Sequence, residues 1–283
     1  MQLTLEHHGA KYVCAINEAK SIAIKLDFEG PQPNHFGTDK ASTSVLRLGE
    51  FTGDTKQGGS CNVDSLKMIP HCNGTHTETV SHIVNEDIWV GHAAMEVLTL
   101  AVLVTVTPGP AKGTSESYRP ALDEVDKIIT RETLIKSLAR VADWKTIRPD
   151  ALIIRTLPNT VQKCSRAYNA ENAPPFLTVE SIEAINEIGI RHLLVDFPSV
   201  DRMYDDGLLT NHHLFWNVVE KTHELSGETW QDKTITEMVY VDDEIVDGIC
   251  ALNIQVPAFC SDAAPSRPVI IPAKRLQSTR LNE

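Results

Sequence analysis

The twelve residues His71-Cys72-Asn73-Gly74-Thr75-His76-Thr77-Glu78-Thr79-Val80-Ser81-His82 decide how the rest of the chain is read. Three histidines, a cysteine and a glutamate fall among them, and the residues between are small, polar or β-branched. In an extended segment residues two apart share a face, so Cys72, His76, Glu78 and His82 point to one side and His71 to the other. A helix scatters them: at about 100° per residue, Glu78 lies roughly 200° from His76, and Asn73-Gly74-Thr75 is poor helix-forming sequence. Extended geometry therefore gathers a thiol, imidazoles and a carboxylate on one face, a donor set suited to a divalent transition ion such as Zn²⁺. The same pattern also fits a polar edge strand that holds no metal, with Cys72 a small buried hydrophobe and His82 an ordinary hydrogen-bonded side chain.

Upstream, residues 11–16, 21–28, 45–51 and 65–69 read as strands, separated by the loop signals Gly30-Pro31-Gln32-Pro33-Asn34 and Gly58-Gly59-Ser60. Downstream, 98–107 is a further strand closed by Thr107-Pro108-Gly109-Pro110. Ile128, Ile129, Leu134, Ile135, Leu138 and Val141 then keep a period near 3.6, which predicts a helix. Residues 151–157 form a buried strand candidate. Thr178 is placed to cap a helix carrying Val179, Ile182, Ile185 and Ile188 on one stripe, with Gly189 as its end. A strand at 192–197, a loop at Pro198-Ser199-Val200-Asp201, a helix over 212–221 and strands at 235–241, 249–256 and 268–271 follow. Residues 274–283 are polar and read as a tail or an arm on a neighbouring subunit. No linker divides the chain, so residues 1–283 are expected to form one domain of α/β class, mixed β and α/β.

With 283 residues, 42% of them hydrophobic, the chain can bury a core without a disulfide or metal staple. Its longest apolar run, 97–106, is about half the ~20 residues of a membrane-spanning helix. The N-terminus has neither a basic leader nor an apolar signal region, so a cytoplasmic protein is expected. In that compartment Cys14, Cys61, Cys72, Cys164, Cys250 and Cys260, which include no C-x-x-C pair, are expected as free thiols. A balance of 26 basic against 38 acidic residues argues against nucleic acid or an anionic membrane as partner, because phosphate binding needs clustered Lys and Arg. A small-molecule substrate is the partner expected instead.

The stretch 72–82 resembles the signature H-x-G-T-H-x-D-x-P-x-H of the metal-dependent cyclase-like hydrolases, the family that contains bacterial kynurenine formamidase and isatin hydrolase. Gly74, Thr75, His76 and His82 match it; Cys72 stands where the family has its first His, Glu78 where it has Asp, and Val80 where it has Pro. The run from His192 to Asp201 is similar to the family's strand and turn ending in D-x-P-S-x-D, and His212-His213 to the paired histidines after it. Ile254-Gln255-Val256-Pro257 and Ser266-Arg267-Pro268-Val269 resemble the closing strands, so the likeness runs from about residue 20 to 272.

That resemblance implies a single-domain swivelling β/β/α cyclase-like fold and a homodimer or higher homo-oligomer. It implies one or two divalent ions, Zn²⁺ or Mn²⁺, held by Cys72, His76, Glu78, His212 and Glu237 with Glu78 bridging. Glu220 and Glu224 are alternatives to Glu237. His82 becomes the acid/base group of a hydrolase acting on the C–N bond of a small amide, formamide or cyclic imide, as an arylformamidase does. Two other classes stay open: a metal- or ligand-binding relative without turnover, and a thiol function built on Cys72, with Cys61 as a possible neighbour. Trp89, Trp216 and Phe51 are candidates for an aromatic pocket or for core packing.

Overall fold

Runs of aliphatic residues that are buried on both faces form the middle of a large sheet. The computed structural model describes residues 1–94 and 96–276. Strands used below are β1 (Gln2–His7), β2 (Ala10–Ala15), β3 (His76–Glu78), β4 (Thr99–Val106), β5 (Ala151–Thr156), β6 (His192–Val195), β7 (Thr234–Glu237), β8 (Gly248–Asn253), β9 (Ala263–Pro265) and β10 (Val269–Arg275). Helices are α1 (Pro70–Asn73), α2 (Arg131–Leu138), α3 (Val179–Ile188) and α4 (Thr210–Trp216). The strand order is β1-β2-β10-β8-β4-β5-β6-β7-β3-β9, with Lys20–Ser21 added against β10. The sheet is mixed: β4, β5, β6 and β7 run parallel, and every pairing outside them is antiparallel.

Every residue of β5, β6 and β7 is buried, as parallel strands covered on both sides must be. Alternation along them divides two packing layers. Val102, Val104, Leu152, Ile154, Leu193, Val195 and Ile235 meet Leu134, Leu138, Ile182, Ile185, Phe215 and Trp216 from the helices. Ala101, Leu103, Ala151, Ile153 and Leu194 face the other way and pack with Val239, Cys250, Leu252 and Ile270. At roughly 1.5–3 kcal/mol per buried aliphatic side chain, these two layers are the main source of stability.

Helix α3 follows its sequence signals. Thr178 Oγ1 accepts from Ser181 N at 3.2 Å, and Gly189 takes the left-handed conformation at φ 88°. Several predicted elements need correction. Ile128 and Ile129 lie not in a helix but in a short strand, Lys127–Ile129, paired with Phe176–Leu177. Thr130 caps α2 immediately after, so the apolar period there joins a strand to a helix. The predicted 212–221 helix instead spans Thr210–Trp216 and stops where Asn217 turns left-handed at φ 54°. The 235–241 strand ends at Glu237 because Met238 also turns, at φ 54°. Only Lys20–Ser21 and an Ala23–Val239 bridge stand where a strand over 21–28 is predicted, and 45–51 folds as a small hairpin of Arg47–Leu48 on Phe51–Thr52. Lys274 and Arg275 complete β10 instead of opening a tail; the rest of that tail beyond Leu276 lies outside the described residues. Among the described residues no helix is long and apolar enough to cross a membrane.

Candidate metal centre

The centre lies where β7 ends and the short strand β3 pairs with it. Register puts His76 opposite Glu237 and Glu78 opposite Ile235, and β9 covers the other edge of β3 with Ala263 opposite Glu78. Thr77 Oγ1 and Thr236 Oγ1 hydrogen-bond across the β3–β7 pair at 2.8 Å, so the strand that carries the donors is clamped from both sides.

The segment 71–82 is not one extended run, as its spacing predicts. Pro70 occupies the first helical position, and Cys72 N and Asn73 N both donate to Ile69 O at 3.0 Å, closing the single turn α1. Asn73 Oδ1 accepts from Ile69 N at 2.6 Å and locks it. A helical turn rotates neighbours by about 100° rather than 180°, and here it swings His71 toward the centre. His71 Nδ1 lies 3.0 Å from Glu78 Oε2 and Nε2 lies 2.9 Å from Asp262 Oδ2. The expectation that His71 points away is therefore corrected. Cys72 is buried, and it belongs to none of the groups of converging metal donors found among the described residues. Burial pushes its thiol pKa up.

His76, Glu78, His82, His212 and Glu237 are brought together. Donor atoms of His71, His76 and Glu78 fall within 4.8 Å of one another, as do those of Glu78, His82 and His212. Glu237 Oε2 is 3.4 Å from His76 Nε2, and its Oε1 is 3.9 Å from His212 Nε2. Val200 N donates to Glu237 Oε1 at 2.8 Å, fixing that carboxylate. Glu220 instead forms a surface pair with Arg119 at 2.6 Å.

Neighbours of the donors set their direction. His76 Nδ1 is 3.0 Å from the Gly74 carbonyl, which requires the hydrogen on Nδ1 and leaves the Nε2 lone pair facing inward. His212 Nδ1 is bonded to Asp201 Oδ2, which directs Nε2 to Glu78 Oε1 at 2.9 Å. Asp201 is itself held by Tyr118 Oη at 2.6 Å and Asn211 N at 2.7 Å. Burial opposes a charged His212, but Glu78 and Asp201 outweigh it and raise its pKa well above the usual range. For Glu78, burial is likewise outweighed by His82 and His212, and its carboxyl is held well below the usual range. Asp262 accepts from His71 and His82 and is held down for that reason.

Two buried atoms in this set, His76 Nε2 and Glu78 Oε2, lack an aligned hydrogen bond, although His71 Nδ1 approaches the second to 3.0 Å. Leaving such atoms unsatisfied is costly, and a divalent ion among imidazole nitrogens and carboxylate oxygens satisfies both. The residues therefore fit a metal. The centre opens to solvent on the side of His71, His82 and Asp262, whose side chains are 26%, 25% and 40% exposed.

Asp262, Asp201 and His71 are the participants that spacing does not pick out. Asp262 sits alone in a loop with no motif around it, and Asp201 lies in a turn whose partner becomes visible only when α4 docks. His35 is a further one: it is buried with both ring nitrogens unpartnered, and burial, assisted by His76, pushes its pKa down to about 4. Of the aromatic candidates, Trp216 packs in the core beside His212, with ring centroids 5.5 Å apart. Trp89 lines a cavity of about 480 Å³ with Ile88, His92 and Arg191, and Phe51 lies in the small hairpin.

Comparisons with known proteins agree with this architecture. The chain is 28% identical over 249 residues to kynurenine formamidase of Bacillus thuringiensis strain Al Hakam, covering 87% of this chain and 97% of that one. An isatin hydrolase bound to the product analogue thioisatinate superposes with a TM-score of 0.61 at 11% identity, over 92% of this chain and 94% of its own. A "predicted metal-dependent hydrolase" from Bacillus stearothermophilus gives a TM-score of 0.56 at 12% identity, over 89% and 97%. The family described as "Putative cyclase" matches residues 14–202. Because that match takes in the stretch from α1 through β3 and the orienting Asp201, the chain belongs to the cyclase family.

Proposed function

We propose that this chain is a metal-dependent hydrolase that opens the C–N bond of a small amide, formamide or cyclic imide, in the manner of an arylformamidase. The observation that carries the reading is the convergence of His71, His76, Glu78, His212 and Glu237 around two buried donor atoms that lack an aligned hydrogen bond. Family membership and the activities of kynurenine formamidase and isatin hydrolase support it. His71, His76 and Glu78 would hold a divalent ion, Zn²⁺ or Mn²⁺, and His212 and Glu237 would supply the donors for a second. A divalent ion bound there polarises an acyl oxygen and lowers the pKa of a water toward about 7.

The remaining work falls to the protein's own side chains. His82 stands at the open side of the centre, its Nδ1 3.4 Å from Asp262 Oδ2 and 4.0 Å from Glu78 Oε2. It takes a proton as water attacks the acyl carbon and delivers it to the departing nitrogen, so the amine leaves neutral. Asp262 steadies the imidazolium formed in between. Asp201 keeps His212 in the tautomer whose Nε2 faces the centre. A thiol chemistry at Cys72 gains no support, because burial disfavours the thiolate.

His82→Ala tests the assignment. Turnover of N-formyl arylamines and cyclic imides is expected to fall by about 10²–10⁴, with bound metal, counted by mass spectrometry, unchanged. A fully active variant removes His82 from the mechanism. Wild-type protein that takes up neither zinc nor manganese removes the hydrolase reading itself.

A further inference from the structure

At the opposite ends of the parallel strands, away from His76, the β1–β2 hairpin presents two histidines to Asp150. Register pairs His7 with Ala10, so His8 and Gly9 are the central residues of the turn, both left-handed at φ 46° and 74°. Tight hairpin turns of this kind usually carry asparagine, aspartate or glycine at the first of those places. The histidine there takes a left-handed conformation that few residues other than glycine adopt, and its ring sits 4.3 Å from that of His7, nearly perpendicular at 70°.

His7 Nε2 is 2.8 Å from the Arg148 carbonyl oxygen. A carbonyl only accepts, so Nε2 carries the hydrogen and a neutral ring turns the Nδ1 lone pair outward. That lone pair faces Asp150 Oδ2 at 3.6 Å, acceptor against acceptor. Asp150 has little freedom to move aside. Thr99 Oγ1 donates to the same Oδ2 at 2.8 Å, Asp150 N is bonded to Leu100 O, and Asp150 O accepts from Arg191 N and His192 N. One donor atom from each of His7, His8 and Asp150 lies within 4.8 Å of the others. Beside them is a cavity of about 460 Å³ whose wall includes His8, Lys145, Asp150 and Glu187, with room for water as a further ligand.

The geometry points to a second metal site, a divalent transition ion held by His7, His8 and Asp150. Two imidazoles and one carboxylate suit Zn²⁺, Ni²⁺ or Cu²⁺ and not Mg²⁺ or Ca²⁺. An ion between Nδ1 and Oδ2 converts the facing acceptors into two ligands. It ties the hairpin at the sheet's edge to the residue just before β5 at its middle, and it is a clamp on the fold with no part in hydrolysis.

Equilibrium dialysis of the full chain against Zn²⁺, with bound metal counted by mass spectrometry, tests this. Wild type is expected to hold one equivalent more than His8→Gln, whose other equivalents are retained. Zinc is also expected to raise the Tm of wild type further than that of His8→Gln. Because His8 is an exposed turn residue, its variant folds even if Asp150→Asn does not; where Asp150→Asn folds, it loses the same equivalent. Equal zinc content in wild type and His8→Gln overturns the proposal, as does a zinc-dependent Tm rise that the substitution leaves intact.

Discussion

His71 and Cys72 are chemically plausible ligands one residue apart, and a single turn of helix places the His71 ring beside Glu78. The Pro70 start and the Asn73 lock rotate His71 onto Glu78 and Asp262, while Cys72 keeps a buried thiol whose pKa is raised. His71→Ala is accordingly expected to lower zinc affinity at the His76 centre by at least tenfold, and Cys72→Ala to leave it within about twofold. Competition against a chelating indicator measures both; the reverse ranking returns the ligand role to Cys72. At this scale spacing is informative about which residue types gather and silent about a one-residue choice, because the choice depends on local φ/ψ.

The elements that read correctly are those whose ends carry their own chemistry. Thr178 closes α3 at its start, and its hydroxyl also donates to Glu116 Oε2 at 2.6 Å while accepting from Ser181 N. Thr178→Ala removes the cap and leaves a part-buried carboxylate contact unmade. A loss of about 1–2 kcal/mol is expected, read as a lower urea midpoint at unchanged m-value; a variant as stable as wild type shows that the helix is held by packing alone. Elements that misread do so for equally local reasons. Ile128 and Ile129 fit a helical period by continuity with Leu134 and Leu138, yet Thr130 between them is a cap, and β-branched pairs suit a strand.

Across the whole molecule, burial of titratable groups links folding to pH. His192 begins β6 in the middle of the sheet, 1% exposed, with Nδ1 2.8 Å from Thr234 Oγ1. Burial, reinforced by the charge of Arg191, pushes its pKa down to about 4 from the 6.5 of an exposed ring. Between those values the unfolded chain binds a proton that the native chain refuses, so the stability His192 contributes is complete above pH 6.5 and is lost as pH falls toward 4. The loss is about 3 kcal/mol for a shift of this size. His35, pushed down to about 4 as well, adds to the same acid sensitivity. Urea unfolding at pH 7.5 and pH 5 is expected to show a smaller stability difference in His192→Gln than in wild type; equal differences exclude His192 as a source.

What the sequence determined by itself was the class of the fold and most of the side chains that the structure brings together at the centre. Buried aliphatic runs, a capped helix and the G-T-H spacing are local signals, and each is written in a few consecutive residues. Tertiary structure alone decided the rest. Asp262 and Asp201 acquire meaning only when β9 lies along β3 and α4 packs against the end of β6. So does the meeting of His7 with Asp150, which are far apart in the chain and carry no shared motif. Side chains from distant segments meet only because the sheet's strand order brings their elements together, and that order is set by burial of two apolar layers rather than by any single stretch of residues.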